Sequence, residues 1–277
     1  MQAPQPILVS HLFPEILESL LELLAQLSPI DWDQPTVCSG WSVKDVAQHL
    51  LAIEISNISR RRDGHSLEPK NPIRSAVDLL EFINYLNESW MDAARRISPR
   101  LLIDLLRLTG EQANQFFASL DPFALGGAVS WAGPEPAPVW LDLAREYTER
   151  WHHQQHIRDA VGKPGLKQAR YLAPILDAFV RALPHTYREI SAPPGTSVTL
   201  TLTGEGGGQW SIQQEDQGWQ LYTGQPTAPD AEVILSGDDA WRLFSKGLEP
   251  FEVHGRAQVL GDARLGAQAF EMVSIIA

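Results

Sequence analysis

Apolar residues three and four positions apart recur through the first two-thirds of the sequence, and this spacing predicts a series of helices. One helix of about four turns follows Pro14, and further helices are expected over residues 43–62, 73–97, 99–120, 139–161 and 168–189. Ser42 and Asp45 have the spacing of a capping box at a helix start. Gly162 suits the left-handed end of a helix, whereas the Gly- and Pro-rich residues 121–138 predict a loop.

After residue 193, polar and apolar residues alternate, which is typical of half-buried strands. The alternation predicts strands over residues 197–202, 209–213, 218–222, 231–235 and 257–261, with helices over 238–246 and from 262 onward. The sequence therefore predicts an α+β protein with two domains. These are a helical bundle over residues 1–192 and a small α+β domain over residues 193–277.

The formal net charge of the 277-residue chain is −12. Nucleic acids and anionic membranes bind basic surfaces, so we expect neither as a partner. The sequence contains no stretch of about 18 uncharged apolar residues, so no transmembrane helix is predicted. The amino-terminal residues lack the pattern of a signal peptide. A cytoplasmic location is therefore expected. Cys38 is the single cysteine, which excludes an intramolecular disulfide and a cysteine-rich zinc site.

Three of the eight histidines fall within five residues, in the stretch from Glu149 to His156 on a predicted helix. Residues four apart on a helix lie one above the other. Glu149 with His153, and His152 with His156, are therefore two pairs that could each bind one metal ion. Imidazole and carboxylate ligands suit zinc or nickel. The alternative is that His152, His153 and His156 belong to a polar helix face that binds no metal. Three histidines would rarely cluster on such a face by chance.

A third ligand has to come from another part of the fold, because two ligands on one helix leave a metal site incomplete. His49 lies between Val46 and Ile53 on the apolar stripe of its predicted helix. An isolated histidine at such a position is more often a buried side chain with one hydrogen bond. The second cluster shifts the balance toward a ligand, and three protein ligands leave an open position for water or substrate.

Two stretches of the sequence resemble a known family. The residues from Thr36 to Leu50 (TVCSGWSVKDVAQHL) are similar to the start of the second helix in the DinB-like metalloprotein superfamily. They resemble more closely the mycothiol-dependent maleylpyruvate isomerase family, whose metal-binding helix is similar to Glu149 to Gly162. Residues 193–277 resemble a sterol-carrier-protein-like domain, especially in the AEVIL stretch at 231–235.

This resemblance implies a DinB-like helical bundle with a four-helix core that holds one divalent ion. The expected ligands are a histidine of the second helix, which corresponds to His49, and two residues one turn apart on a later helix. In the isomerase branch the later pair is Glu and His, corresponding to Glu149 and His153. In other DinB-like proteins it is two histidines, corresponding to His152 and His156. The neighbouring Gln-Gln and Ile-Arg pairs favour the first set, and both sets remain open.

The same resemblance implies an enzyme that uses the metal and a low-molecular-weight thiol, similar to mycothiol, for isomerisation or S-transfer on a small electrophile. A bound metal lowers the pKa of a thiol, so that thiolate is available near neutrality. Two other classes stay open: a DinB-like protein that binds metal without catalysis, and a module that binds a hydrophobic ligand. The sequence assigns no catalytic or cofactor-binding residue, and it leaves open whether the chain is a monomer or a homodimer.

Cys38 precedes a predicted helix start, a position that stabilises a thiolate. A nucleophilic role is one interpretation of this residue. We prefer the other, in which Cys38 is a small buried residue in a turn.

Overall fold

The structure is a computed structural model that describes residues 1–65, 67–69 and 72–275. Its helices are α1 (Phe13–Ala25), α2 (Pro29–Trp32), α3 (Val43–Ser56), α4 (Ala76–Ala94), α5 (Pro99–Ser119), α6 (Val139–Ala160), α7 (Ala169–Val180), α8 (Leu183–Thr186), α9 (Gly237–Phe244), α10 (Pro250–Val253) and α11 (Ala263–Gln268). Its strands are β1 (Leu125–Ala128), β2 (Pro136–Pro138), β3 (Ser197–Thr203), β4 (Gly208–Glu215), β5 (Gly218–Thr223), β6 (Ala231–Ser236) and β7 (Gln258–Gly261). The predicted α+β class is confirmed.

Serine side chains mark the starts of three long helices. Ser42, Ser75 and Ser98 are the N-caps of α3, α4 and α5, and each side chain accepts a hydrogen bond from the backbone three residues later. Asp45 completes the capping box of α3, as the sequence predicts. Gly162, just after α6, has a φ angle of 65° in the left-handed region, which is also as predicted.

Three predicted segments differ in the structure, which also contains the short helices α2 and α10 where no element was predicted. The helix expected over residues 43–62 is α-helical only to Ser56 and is then π-helical over Asn57–Arg62. The helix expected over residues 168–189 is interrupted after Val180, because Pro184 has no backbone donor to continue the hydrogen bonding, and the chain resumes as the short α8. The loop expected over residues 121–138 contains the antiparallel pair β1 and β2.

The chain divides into two compact units that are interleaved along the sequence. The helical unit contains residues 10–120 and 149–165, and the sheet-containing unit contains residues 1–9, 121–148 and those from Leu166 onward. These units group residues that contact one another in space, and they do not show which parts of the chain fold independently. The predicted division into folding domains at residue 192 stays a prediction.

The helical unit has its core among α1, α3 and α5, with α4 packed against α3. The buried cluster is apolar and comprises Leu20, Leu21, Leu23, Leu24, Trp32, Val43, Val46, Ala47, Leu50, Leu51, Leu102, Leu106 and Ile157. Ile157 comes from α6, so the second half of that helix contributes to this core. Among the described residues, no helix is both long enough and apolar enough to cross a bilayer.

The sheet-containing unit is built on a five-stranded sheet with the order β5-β4-β3-β6-β7. The β3–β6 pair is parallel, and the other neighbouring pairs are antiparallel. Helix α9 packs against α7, β3 and β6, while α11 packs against β6 and β7. At the β5 edge, Gln2 forms an antiparallel bridge with Thr223 through two backbone hydrogen bonds of 3.0 and 2.9 Å.

Candidate metal centre

Helix α3 positions His49 with its side chain partly buried. The neighbouring Gln48 joins α3 to α4 through two hydrogen bonds. Its side-chain amide donates to the Ala94 carbonyl at 2.6 Å, and its backbone carbonyl accepts from Trp90 Nε1 at 2.8 Å. The ring of Trp41 lies 5.0 Å from the His49 ring, centroid to centroid. Gln48 therefore fixes this part of α3 against α4, while Trp41 packs against the imidazole itself.

Helix α6 carries the other predicted ligands in its second half. His153 Nε2 lies 3.5 Å from Glu149 Oε2, one helical turn away, as the four-residue spacing predicts. The His49 and His153 rings meet edge to face with centroids 4.7 Å apart, although the residues belong to different helices. The His153 ring also lies 4.1 Å from that of His152 and 5.3 Å from that of His156. Four imidazoles and one carboxylate thus form a continuous cluster.

Two groups of potential metal donors lie within this cluster. One ligand atom each from His49, Glu149 and His153 lie within 4.8 Å of one another. The same limit holds for Cys38, His153 and His156. Among the described residues, the alternative set of His49, His152 and His156 does not form a group of this compactness. The structure therefore brings the first predicted set together, and the choice of ligands stays a prediction.

The protonation states of the first group suit a metal. Burial works against an ionised Glu149, yet the hydrogen bond with His153 and the surrounding imidazoles hold the pKa of this carboxyl well below its usual range. Burial lowers the pKa of His153 to about 3, although the Glu149 hydrogen bond opposes this shift. Burial also lowers the pKa of His49. Neutral imidazole and ionised carboxylate are the forms that bind metal ions.

Two ring nitrogens of the group are buried without a hydrogen-bond partner among the described residues, namely His49 Nδ1 and His153 Nδ1. A buried polar atom without a partner costs about 1–3 kcal/mol, so such atoms are uncommon unless a ligand satisfies them. Unsatisfied nitrogens on two facing imidazoles fit a site built to hold an ion.

A buried ion pair beside the site escaped the sequence analysis. Arg150, next to Glu149 on α6, donates from Nε and Nη2 to the two carboxylate oxygens of Glu54 on α3, at 2.8 and 3.0 Å. Its guanidinium also lies over the rings of Phe13 and Phe117. A glutamate on the stripe of α3 and an arginine on α6 were the available signals, but their partnership depends on how the helices pack.

Cys38 lies in the turn before α3, as our preferred interpretation expects, and it is partly buried. Its Sγ lies 3.2 Å from His156 Nδ1. Burial raises the pKa of the Cys38 thiol, with the Thr36 hydroxyl opposing and Glu149 adding to the shift. The turn itself is closed by the Pro35–Ser42 bridge and by a hydrogen bond from Trp41 N to the Cys38 carbonyl.

The sheet-containing unit has a cleft of about 870 Å³. Its wall combines apolar side chains such as Leu141 and Trp219 with the polar side chains of Glu135, His185 and Arg188. Its volume is that of a small-molecule site. None of the predicted metal ligands lines it.

A helical unit with a buried cluster of histidines and a carboxylate, in a chain that also builds a five-stranded sheet, defines an α+β protein with a candidate metal centre. Residues 13–158 match the family described as the mycothiol maleylpyruvate isomerase N-terminal domain. The match covers more than half of the chain, and the chain belongs to this family. All predicted metal ligands lie within the matched residues.

Two solved structures share the fold over most of this chain. A mutant of mycothiol-dependent maleylpyruvate isomerase is 11% identical, with a TM-score of 0.51 over 92% of both chains. Another structure of that enzyme gives the same identity and TM-score over 84% of this chain and 86% of that one. The sterol carrier protein domain 2 of Helicoverpa armigera is 16% identical over 40% of this chain and 94% of its own, with a TM-score of 0.25. None of the curated proteins matches this sequence.

Proposed function

We propose that this protein is a divalent-metal-dependent enzyme that uses a low-molecular-weight thiol, similar to mycothiol, for isomerisation or S-transfer on a small electrophilic substrate. The observation that carries the proposal is the compact group of His49, Glu149 and His153 in a chain of the mycothiol maleylpyruvate isomerase family. Membership of that family supports the thiol, and the donor group supports the metal.

His49, Glu149 and His153 would hold the ion. Two imidazoles and one carboxylate are ligands that suit zinc or nickel, and the buried Nδ1 of His49, which has no hydrogen-bond partner among the described residues, fits this role. Three protein ligands leave a coordination position for an exogenous ligand. An ion bound here would lower the pKa of a thiol in that position, and so would supply thiolate near neutral pH.

The chain's own residues contribute orientation and charge. The hydrogen bond between Glu149 and His153 keeps the carboxylate ionised and fixes the imidazole on the same face of α6. The Glu54–Arg150 pair joins the two helices that carry the ligands. Trp41 covers one side of His49 and limits the freedom of its ring. A small electrophile would then react at a fixed place relative to the ligand cluster.

Metal content tests the site. The purified protein should contain at least about one zinc-like ion per chain, and His49→Ala should contain about one ion per chain fewer, as measured by elemental analysis. His11→Ala is the matched control, because His11 is an exposed histidine of the same unit, and it should keep the ion. Full metal retention in His49→Ala would overturn the proposed ligand set.

The choice between the two ligand sets is tested on α6. Glu149→Gln and His153→Ala should lose the ion, whereas His152→Ala should keep it with at most about a 10–100-fold loss of affinity. A silent Glu149→Gln together with an empty His152→Ala would transfer the site to His49, His152 and His156.

Thiol use is tested separately on protein substituted with cobalt. A titration with mycothiol or another small thiol should change the visible spectrum of the bound cobalt, since the thiol enters its coordination sphere. An unchanged spectrum at saturating thiol would favour the alternative of a DinB-like protein that binds metal without catalysis. The cytoplasmic location, the monomer or homodimer state and the absence of nucleic-acid and membrane partners stay predictions.

A hydrophobic-ligand module is the second candidate function, and the cleft in the sheet-containing unit favours it. Its apolar wall around Trp219 and Leu141 could hold a small molecule whose polar end meets Arg188 or His185. Native mass spectrometry of the purified protein tests this function. A ligand that copurifies with the wild type and is lost in Trp219→Ala would support it, and ligand-free wild-type protein would speak against it.

A further inference from the structure

Cys38 belongs to a second group of metal donors that the proposed function does not use. Its Sγ lies 3.2 Å from His156 Nδ1, and the His156 ring lies 5.3 Å from the ring of His153. One ligand atom from each of these three residues falls within a mutual distance of 4.8 Å. Two donors on one zinc ion lie at most about 4.4 Å apart, given its bond lengths to sulfur and nitrogen. Small side-chain rotations are enough to bring the three atoms onto one ion.

The two histidines of this group are buried, so the group does not depend on Cys38 alone. Only 9% of His153 and 6% of His156 are exposed to solvent. His153 presents Nε2 to Glu149, while its Nδ1 is buried and has no hydrogen-bond partner among the described residues. The two nitrogens of one ring are thus differently placed, and Nδ1 is left for a ligand other than the one at Glu149.

We propose that Cys38, His153 and His156 form a second metal-binding set, which contains sulfur and shares His153 with the first set. Thiolate and imidazole together select thiophilic ions such as zinc or cadmium over magnesium and calcium, which prefer oxygen. The first set, with its carboxylate, has no such sulfur ligand. The proposal concerns binding, and it holds whether or not the protein catalyses a thiol-dependent reaction.

Cobalt reports a sulfur ligand directly, because a thiolate bound to cobalt gives a strong charge-transfer absorption in the near ultraviolet. Cys38 is the single cysteine of the chain, so any such band from the protein reports cobalt bound to the Cys38 thiolate. The metal-free full-length protein is titrated with cobalt and followed by absorption spectroscopy. The wild type should develop the band, Cys38→Ser should lose it while keeping visible cobalt absorption from the first set, and His49→Ala should keep it.

A second readout uses the thiol itself. Zinc or cadmium should slow the alkylation of Cys38 by iodoacetamide at least about tenfold in the wild type, since a metal-bound thiolate is a poorer nucleophile. His156→Ala should remove this protection, and the exposed His11→Ala control should retain it. Circular dichroism verifies that each variant is folded.

The outcomes separate this proposal from the first site. Absence of the charge-transfer band in wild-type protein saturated with cobalt would overturn the second set and leave the His49 site untouched. Loss of the band in His49→Ala would also overturn it, because Cys38 would then be a ligand of the first ion. If His49→Ala keeps both the band and the full metal content of the wild type, the first site fails and the second stands.

Discussion

The buried pair of Glu54 and Arg150 joins the two helices that carry His49, Glu149 and His153. Arg150 follows Glu149 directly on α6, and Glu54 lies on α3 some five positions after His49. The side chains are only 5% and 8% exposed, and they meet through two hydrogen bonds. Since α3 and α6 carry all the ligands of the first set, a pair that joins them also controls the distance between those ligands.

We expect Glu54→Gln to destabilise the protein by about 3–5 kcal/mol, because it leaves the buried guanidinium of Arg150 without a counter-charge. The metal affinity should fall as well, since the two ligand-bearing helices lose their bridge. Urea denaturation and a competition titration with a chelator measure the two effects.

The matched control is Glu18→Gln. Glu18 also forms an ion pair with an arginine of another helix, Arg107, but both side chains are about half exposed (54% and 48%). Its loss should cost at most about 1 kcal/mol and leave metal binding unchanged. Equal effects of the two substitutions would contradict the role given to Glu54.

At the scale of residues, the sequence predicts contacts within one helix and misses those between helices. Glu149 and His153 are four apart, so the helical repeat alone brings them together. Cys38 and His156 are 118 positions apart, and no periodicity relates them. The Glu54–Arg150 pair is equally hidden, because a charged residue near an apolar stripe is normally expected to point toward solvent.

The secondary-structure elements follow the sequence where a local signal exists. Ser42 and Asp45 cap α3, and the alternation from Ser197 onward gives β3. The β3–β4 turn makes contacts with α7 that the alternating pattern does not predict. In this turn the Glu205 carboxylate accepts a hydrogen bond from Ala169 N at the start of α7. Gly206 approaches the backbone of α7 closely, which only the packed structure makes visible.

We expect Gly206→Ala to be more destabilising than Gly204→Ala. Both glycines have positive φ angles, 70° and 89°, so an alanine at either position costs about 1–2 kcal/mol in backbone strain. A Cβ on Gly206 would also lie 2.7 Å from the backbone nitrogen of Ala173, whereas one on Gly204 would meet nothing within 4 Å. The difference in unfolding free energy should be about 1–3 kcal/mol, measured by denaturant titration. Equal unfolding free energies for the two variants would contradict this expectation, since α7 would then shift to accept the added methyl group without a cost in free energy.

On the scale of the whole molecule, chain order and spatial grouping differ. Helices α7 and α8 precede the predicted boundary at residue 192, yet several of their hydrogen-bond partners lie beyond it. Tyr187 donates to the Leu265 carbonyl at 2.6 Å, Trp210 donates to Asp177 at 2.9 Å, and Ser274 donates to the Phe179 carbonyl at 2.8 Å. A change from helical to alternating periodicity marks residue 193 in the sequence, but periodicity does not tell which elements pack together.

A chain that ends at residue 192 tests the boundary and the site together. All ligands of the first set precede this point, so we expect the shortened chain to retain its metal. Residues 166–192 should lose most of their protection in hydrogen exchange, because the shortened chain lacks α9 and β5, against which α7 and α8 pack. Retained protection there would support a folding domain over residues 1–192. Loss of metal together with protection would make the centre dependent on residues 193–277.

The bridge between Gln2 and Thr223 has a consequence for synthesis on the ribosome. The two residues are 221 positions apart, so the amino-terminal segment emerges long before the strand edge that it covers. At the usual rate of about 5–20 residues per second, it waits for about 10–45 seconds. During that time Gln2 lacks its strand partner, and once β5 forms, its open edge can recruit another chain until Gln2 pairs with it. A fusion tag placed before Gln2 would therefore act on aggregation during expression more than on the stability of the finished protein.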